Sequence, residues 1–240
     1  MFAIYKRELR SYFITPIGYI FAGAFLAVSG ILFSYTVLQV DSSGDYTYSG
    51  MYTYFVLLLA VFAVLLPILT MKLLSEEKKQ KTEQLLLTSP VSLTGVIIAK
   101  YLASLTIFAG TLAINSFNFV LLYIYGAPNT AIILSNILGL FLIGAAFVAV
   151  GLFLSSLTEN QLIAAVSSIV AEGSMLLISL LVNKIELKFF RVFLKWFSVI
   201  DRYSPFTGGY FDIPAVIYFL SLSTVFVFLT VRVYEKRRWS

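Results

Sequence analysis

The chain has 240 residues, of which 60% are hydrophobic and only 12% charged, with a formal net charge of +5. A soluble domain carries about 25% charged residues, so much of this surface must face lipid. There is no cysteine and no histidine, which excludes disulfides, thiolate catalysis, zinc sites built on Cys or His, and any proton relay through imidazole.

The first element is residues 1–15. Phe2, Tyr5, Leu9 and Tyr12 recur at helical spacing, and Lys6, Arg7 and Arg10 lie off that stripe. This pattern predicts an interfacial helix, its apolar face in the acyl boundary and its basic face toward anionic headgroups. Tyr5, Arg7 and Arg10 are expected to hold that interface. The apolar run that follows is about twice as long as a signal-peptide h-region, so the N-terminus is expected to be retained. Pro16 separates the interfacial helix from the first span.

A helix needs roughly 20 apolar residues to cross a hydrocarbon core about 30 Å thick. Runs of that length, uncharged but for one carboxylate in the fifth, predict spans over 17–39, 51–71, 101–125, 131–155, 161–182 and 213–231. In the second span Pro67 is expected to kink the helix. Phe55 and Phe62 share one face there and suit either an apolar pathway or core packing. Between the second and third spans a charged stretch, 76–81, leaves the membrane. It is followed by Leu85, Leu86 and Leu87, a Ser89-Pro90 stop, and Ser92 as an N-cap leading back into the bilayer. A connector that only crosses the surface has no need of three leucines, so they predict a partner surface. Packing on the protein's own helices is the alternative.

The turn chemistry of 126–130 divides the third span from the fourth. Asn115, Ser116, Asn118, Ser135 and Asn136 are expected to make interhelical hydrogen bonds, and Gly139, Gly144 and Gly151 to admit close helix approach. Glu172 stands near the middle of the fifth span. A carboxylate there costs roughly 2.5–3.5 kcal/mol on insertion scales, so it must face protein or water. It is either a pathway contact or an acid hydrogen-bonded between helices. In 183–212, Ile185, Phe189, Val192, Trp196 and Val199 follow helical spacing beside a row of Lys184, Lys188, Arg191 and Lys195. This predicts a helix lying at the outer interface or re-entering it, with Ser204-Pro205-Phe206-Thr207-Gly208-Gly209 turning the chain back.

Lys and Arg counts set the orientation. With the N-terminus inside, the inner segments hold twelve basic residues and the outer segments five, which favours both termini in the cytoplasm. The basic residues cluster at the ends of apolar runs, so no nucleic-acid partner is expected. No G-x-x-x-x-G-K-[ST] occurs, and no G-x-S-x-G. The four aspartates all lie in flanks or loops, so no paired intramembrane acids, no metal site and no catalytic residues are expected.

Thr82-Glu83-Gln84-Leu85-Leu86-Leu87-Thr88-Ser89-Pro90-Val91-Ser92, followed by Lys100-Tyr101, resembles the cytoplasmic loop of ABC-2 type export permeases. Those proteins show T-x-x-x-L-L-x-S-P-V with a lysine beginning the next span. Tyr5-Lys6-Arg7-Glu8-Leu9 ahead of Pro16 is similar too. So is the tail, Tyr218-Phe219-Leu220-Ser221-Leu222, then Phe228-Leu229-Thr230-Val231-Arg232 and Glu235-Lys236-Arg237-Arg238-Trp239. That tail most resembles the branch named for bacterial gliding motility. Phe206-Thr207-Gly208-Gly209-Tyr210 departs from the basic-Gly pair of the pattern.

The resemblance implies an all-α membrane protein of the ABC-2 (type V) exporter-like half-transporter kind, a single domain over 1–240. Its parts would be an N-terminal elbow helix, six transmembrane helices, a cytoplasmic coupling helix within 76–95, and an outer re-entrant element within 183–212. Two such subunits would pair as a homo- or heterodimer in the inner, cytoplasmic membrane. Each would bind a separate ABC ATPase that holds ATP and Mg²⁺, with no cofactor bound by this chain. Glu76, Glu77, Glu83, Leu85, Leu86, Leu87, Ser89 and Pro90 would form the ATPase contact. Phe55, Phe62 and Glu172 would serve the substrate pathway. The expected activity is export of an amphipathic, lipid-like or peptide substrate by alternating access. The alternatives are a channel or ion-coupled carrier, and a non-transporting membrane anchor for an ATPase.

Overall fold

A computed structural model describes residues 2–38, 48–82, 92–125, 128–182, 194–195 and 198–239. Helix α1 (Phe2–Ile14) is followed by α2 (Pro16–Thr36), α3 (Tyr48–Thr70), α4 (Lys72–Lys79), α5 (Leu93–Asn115) and α6 (Asn118–Tyr125). Then come α7 (Thr130–Leu157), α8 (Gln161–Leu181), α9 (Val199–Thr207) and α10 (Ile213–Trp239). Among the described residues six helices are long and apolar enough to cross a membrane: Pro16–Thr36, Gly50–Lys79, Leu93–Ile124, Thr130–Leu157, Gln161–Ser179 and Ile213–Arg237.

Local chemistry sets the boundaries. Thr15 is extended (φ −87°, ψ 150°) and Pro16 occupies the first turn of α2, where its missing N–H costs nothing. Asn129 and Asn160 cap α7 and α8 by accepting from the N–H of Ala131 and Leu162. Lys81 adopts a left-handed φ of 56° and ends α4. Helix α7 is the centre of the bundle: Leu142 to Leu152 is buried on all sides, packed by α3, α5, α8 and α10. A Cβ at Gly151 would overlap the Thr70 hydroxyl, and one at Gly144 would overlap the Phe108 ring, so these glycines let α3 and α5 close on α7.

Three boundaries differ from the sequence expectation. The helix of the third crossing begins at Leu93, so Lys100 lies two turns inside it rather than at its start. The charge is neutralised by the fold, as shown below, and need not mark a membrane edge. Helix α10 runs on through the basic tail to Trp239. The predicted turn at Ser204–Gly209 starts later, because α9 continues through Pro205 to Thr207 and only Gly208-Gly209 turn, with Gly209 at φ 81°. The predicted helical spacing of Ile185, Phe189, Val192 and Trp196 lies outside the described residues.

Three members of the α1 stripe, Tyr5, Leu9 and Tyr12, pack on the bundle, while Phe2 at its head is exposed. Tyr12 is buried and donates to the Leu69 carbonyl (3.1 Å), and Tyr5 Oη lies 2.9 Å from Thr106 Oγ1. The exposed apolar residues of this helix are Phe2, Phe13 and Ile14. Periodicity shows which residues share a face but not what that face touches. At the opposite end of the bundle, α9 is wedged against α7, with Val199, Tyr203 and Phe206 fully buried. Tyr203 Oη donates to Asn136 Oδ1 at 2.6 Å, and Ser135 Oγ donates to the Phe206 carbonyl at 2.7 Å. Asn115 pairs with Tyr54 and Asn118.

Candidate functional site

At the charged end of the bundle α1, α4 and α5 converge on four ionised side chains. Lys100 is 2% exposed. Its Nζ lies 2.9 Å from Glu77 Oε1 and 3.2 Å from Glu8 Oε2. Arg7 Nη2 donates to Glu8 Oε1 at 2.7 Å and stands 3.7 Å from Glu77 Oε1. Two cations thus alternate with two carboxylates and the group is neutral. That neutrality permits the burial of Lys100, because an uncompensated charge there would cost several kcal/mol.

Each member is placed by its helix. Glu8 flanks the Tyr5–Leu9–Tyr12 stripe that packs α1 on the bundle. Glu77 lies one turn beyond the buried Leu73 and Leu74 of α4, and Lys100 one turn beyond the buried Val96 and Ile97 of α5. Burial alone would raise the Glu8 carboxyl. The Lys100 charge and the Arg7 hydrogen bond and charge outweigh it and hold this carboxyl below its ordinary value. Arg7 is raised, chiefly by its hydrogen bond to Glu8. The second oxygen of Glu77, Oε2, is buried with no hydrogen-bond partner among the described residues.

Helix α4 is held in place from α7. One turn residue, Met71, separates α3 from α4; it stays αR and donates to the Pro67 carbonyl at 2.8 Å, and the first turn of α4 presents its N–H groups toward α7. Ser155 Oγ of α7 accepts two of them, from Leu74 (3.2 Å) and Ser75 (3.1 Å), and donates to the Met71 carbonyl at 2.9 Å. It is a helix cap supplied in trans. Lys78 Nζ donates to the Ser156 carbonyl beside it. A cavity of about 600 Å³ opens between α1 and α4, with Lys100 in its wall. Among the described residues no group of acids could hold a metal ion.

Of the residues singled out in the sequence, Arg7 and Glu77 meet in the four-charge cluster. Glu76 is at the cavity rim, 3.9 Å from Lys72 Nζ, Arg10 is exposed, and Tyr5 packs on α5. Glu83, Leu85, Leu86, Leu87, Ser89 and Pro90 lie outside the described residues. Phe55 and Phe62 are buried within the chain, Phe55 on Phe119 and Tyr54, Phe62 on Phe25 and Phe108. Glu172 is 0% exposed, and neither carboxylate oxygen has a partner among the described residues. It lies on the packed face of α8 with Ser168 and Ser179, opposite the exposed Val166, Val170 and Leu177.

Sequence reasoning did not single out Glu8 or Lys100 as members of the cluster. The available signal was a lysine that leaves no charge within the 20 residues after it, flanked by helix formers on both sides. What the arrangement can do is mechanical: it ties three helices together by ions at the point where the chain passes into residues 83–91.

A family model described as ABC-2 family transporter protein matches residues 2–235. No curated protein matches the chain.

Proposed function

The chain belongs to the ABC-2 transporter family, and from that premise we propose that its charged end is the site where an ATPase drives the membrane domain. Family membership makes the chain the multi-pass permease subunit of an ABC transporter, with ATP hydrolysis in a separate ABC ATPase subunit. In the proposal α1 is the elbow helix and 83–92 the coupling helix, and the outer segment ending in α9 is the re-entrant element. Two subunits pair in the cytoplasmic membrane with both termini inside. The tail places the chain nearest the gliding-motility-type branch.

The observation that carries this reading is the Arg7–Glu8–Glu77–Lys100 cluster. It joins α1, α4 and α5 next to the residues leading into the proposed coupling helix, so force applied there moves three helices together. Ser155 and Lys78 extend the same block to α7. Glu76, Glu77, Glu83, Leu85, Leu86, Leu87, Ser89 and Pro90 form the ATPase-facing set, with Glu77 acting through Lys100.

The substrate is amphipathic, lipid-like or peptide, exported by alternating access. Phe55, Phe62 and Glu172 are the side chains that opening of the bundle would expose to it. The support is chemical: a largely apolar interior with one carboxylate, a poor path for a small hydrophilic ion.

The test is Leu85→Asp combined with Leu86→Asp, co-expressed with the cognate ATPase. The ATPase should no longer co-purify, or its hydrolysis should no longer respond to substrate. Survival of both co-purification and transport would sink the coupling assignment. Glu172→Gln should leave assembly intact and change selectivity or ATPase stimulation. No change in either removes Glu172 from the pathway.

A further inference from the structure

The cavity between α1 and α4 is bounded by three cations (Arg7, Lys72, Lys100) and three carboxylates (Glu8, Glu76, Glu77). Neither a bare anion nor a bare cation suits a wall of zero net charge; a zwitterion does. Part of the wall is occupied with itself, since Lys100 and Glu8 are satisfied by each other and by their neighbours. The remainder is not. Lys72 Nζ spends one hydrogen bond on Thr15 Oγ1 (3.0 Å) and meets Glu76 only at 3.9 Å. Arg7 is 60% exposed, and among the described residues its hydrogen bond is to Glu8, one of five guanidinium donors. On the acidic side Glu77 Oε2 is buried and closed to the cavity, so Glu76 is the open carboxylate, 37% exposed. Glu76 accepts from Gln80 at the outer rim (3.1 Å).

Position narrows the ligand further. The Thr15–Lys72 end of the cavity adjoins Pro16, where the first span begins. Phe13 and Ile14, immediately before it, are 53% and 71% exposed, and the Phe13 ring packs edge-on to Tyr19 of α2. An apolar surface thus leads from the bilayer to the mouth of a polar cavity. The volume, about 600 Å³, lies within the usual range for small-molecule sites.

We infer that this cavity binds the headgroup of an aminophospholipid, a phosphate joined to a primary ammonium. The phosphate accepts from Lys72 and Arg7. The ammonium donates to Glu76, and the acyl chains lie along Phe13, Ile14 and Tyr19. A primary ammonium is required because a quaternary one has no N–H to give the carboxylate.

The test uses the purified full chain, delipidated in detergent. Native mass spectrometry then reads binding of phosphatidylethanolamine, phosphatidylcholine and phosphatidylglycerol with identical acyl chains. Phosphatidylethanolamine should be retained about tenfold over phosphatidylcholine, the equivalent of one charge-assisted hydrogen bond. Stepwise N-methylation of the headgroup should erode retention without any change to the protein. The double variant Lys72→Gln, Glu76→Gln lies outside the four-charge cluster and should bring the two lipids to parity. Its folding is checked by melting temperature. Equal retention of the two lipids by the unaltered chain overturns the assignment. So does a preference that survives the double variant in folded protein, or phosphatidylglycerol binding as well as phosphatidylethanolamine, which would reduce the site to one for phosphate alone.

Discussion

Replacing Lys100 with methionine removes the cation at the centre of the charged cluster while keeping the length of the side chain. Glu77 then loses its nearest counter-ion, at 2.9 Å, and Glu8 its second, at 3.2 Å. Deleting one partner of a buried pair costs about 3–5 kcal/mol. Arg7 stays 2.7 Å from Glu8 but only 3.7 Å from Glu77, so Glu8 is largely protected and the loss falls on Glu77. That places Lys100→Met at the low end, about 3 kcal/mol, read as the midpoint shift in denaturant unfolding in mixed micelles. Adding Glu77→Gln removes the stranded charge, so the double variant should recover about 1–2 kcal/mol, a coupling of the size found between directly contacting residues. The recovered variant should still fail to transmit ATP hydrolysis, which separates the stability of the cluster from its proposed mechanical role. A loss below about 0.5 kcal/mol for Lys100→Met, the range of an ordinary surface change, would refute the assignment of a buried, paired lysine. Strict additivity with Glu77→Gln would refute the pairing.

Ser155→Ala strands the amides of Leu74 and Ser75 and should cost about 1–3 kcal/mol, with faster hydrogen exchange at those two amides as the specific readout. Tyr203→Phe leaves Asn136 Oδ1 buried without its donor, at a similar cost of about 1–3 kcal/mol; Tyr203→Phe with Asn136→Leu should recover most of it. Glu8 is held below its ordinary carboxylate value, so its contribution is complete above the unfolded pKa of about 4.3 and is lost as pH falls through the still lower folded value. The Glu8→Gln variant should therefore lose the part of acid destabilisation that lies below about pH 4.3 and show no altered pH dependence around neutrality.

The helical class and the six crossings were legible because lipid imposes a length and a composition on every span, and both are properties of a single stretch of chain. The roles of the small polar residues were legible for the same reason: Asn136 or Ser135 in an apolar run must find a partner on another helix. The pairing of Lys100 was not legible, because the rule that charges mark span ends treats each charge as standing alone. Its partners, Glu8 and Glu77, are distant in sequence, and nothing local announces them. Arg7 and Glu77 were each singled out for reasons unrelated to the other, and only the fold brings them together. The stripe on α1 was read correctly as one face and assigned to lipid, whereas Tyr12 is buried against the bundle. Phe2, at the head of the stripe, and Phe13 and Ile14, off it, are exposed.

The cap that Ser155 places on α4 has a consequence for biosynthesis. The four-charge cluster can close once the chain has been made through Lys100. The amides of Leu74 and Ser75 must wait for a residue encoded 80 positions after Ser75, in the fourth crossing. Until that helix is inserted, the arm that follows the second crossing has its ions but not its cap, and its direction relative to the bilayer is unset. A nascent chain halted after three crossings would therefore present an uncapped arm, by which a quality-control protease or chaperone could distinguish it from the finished subunit.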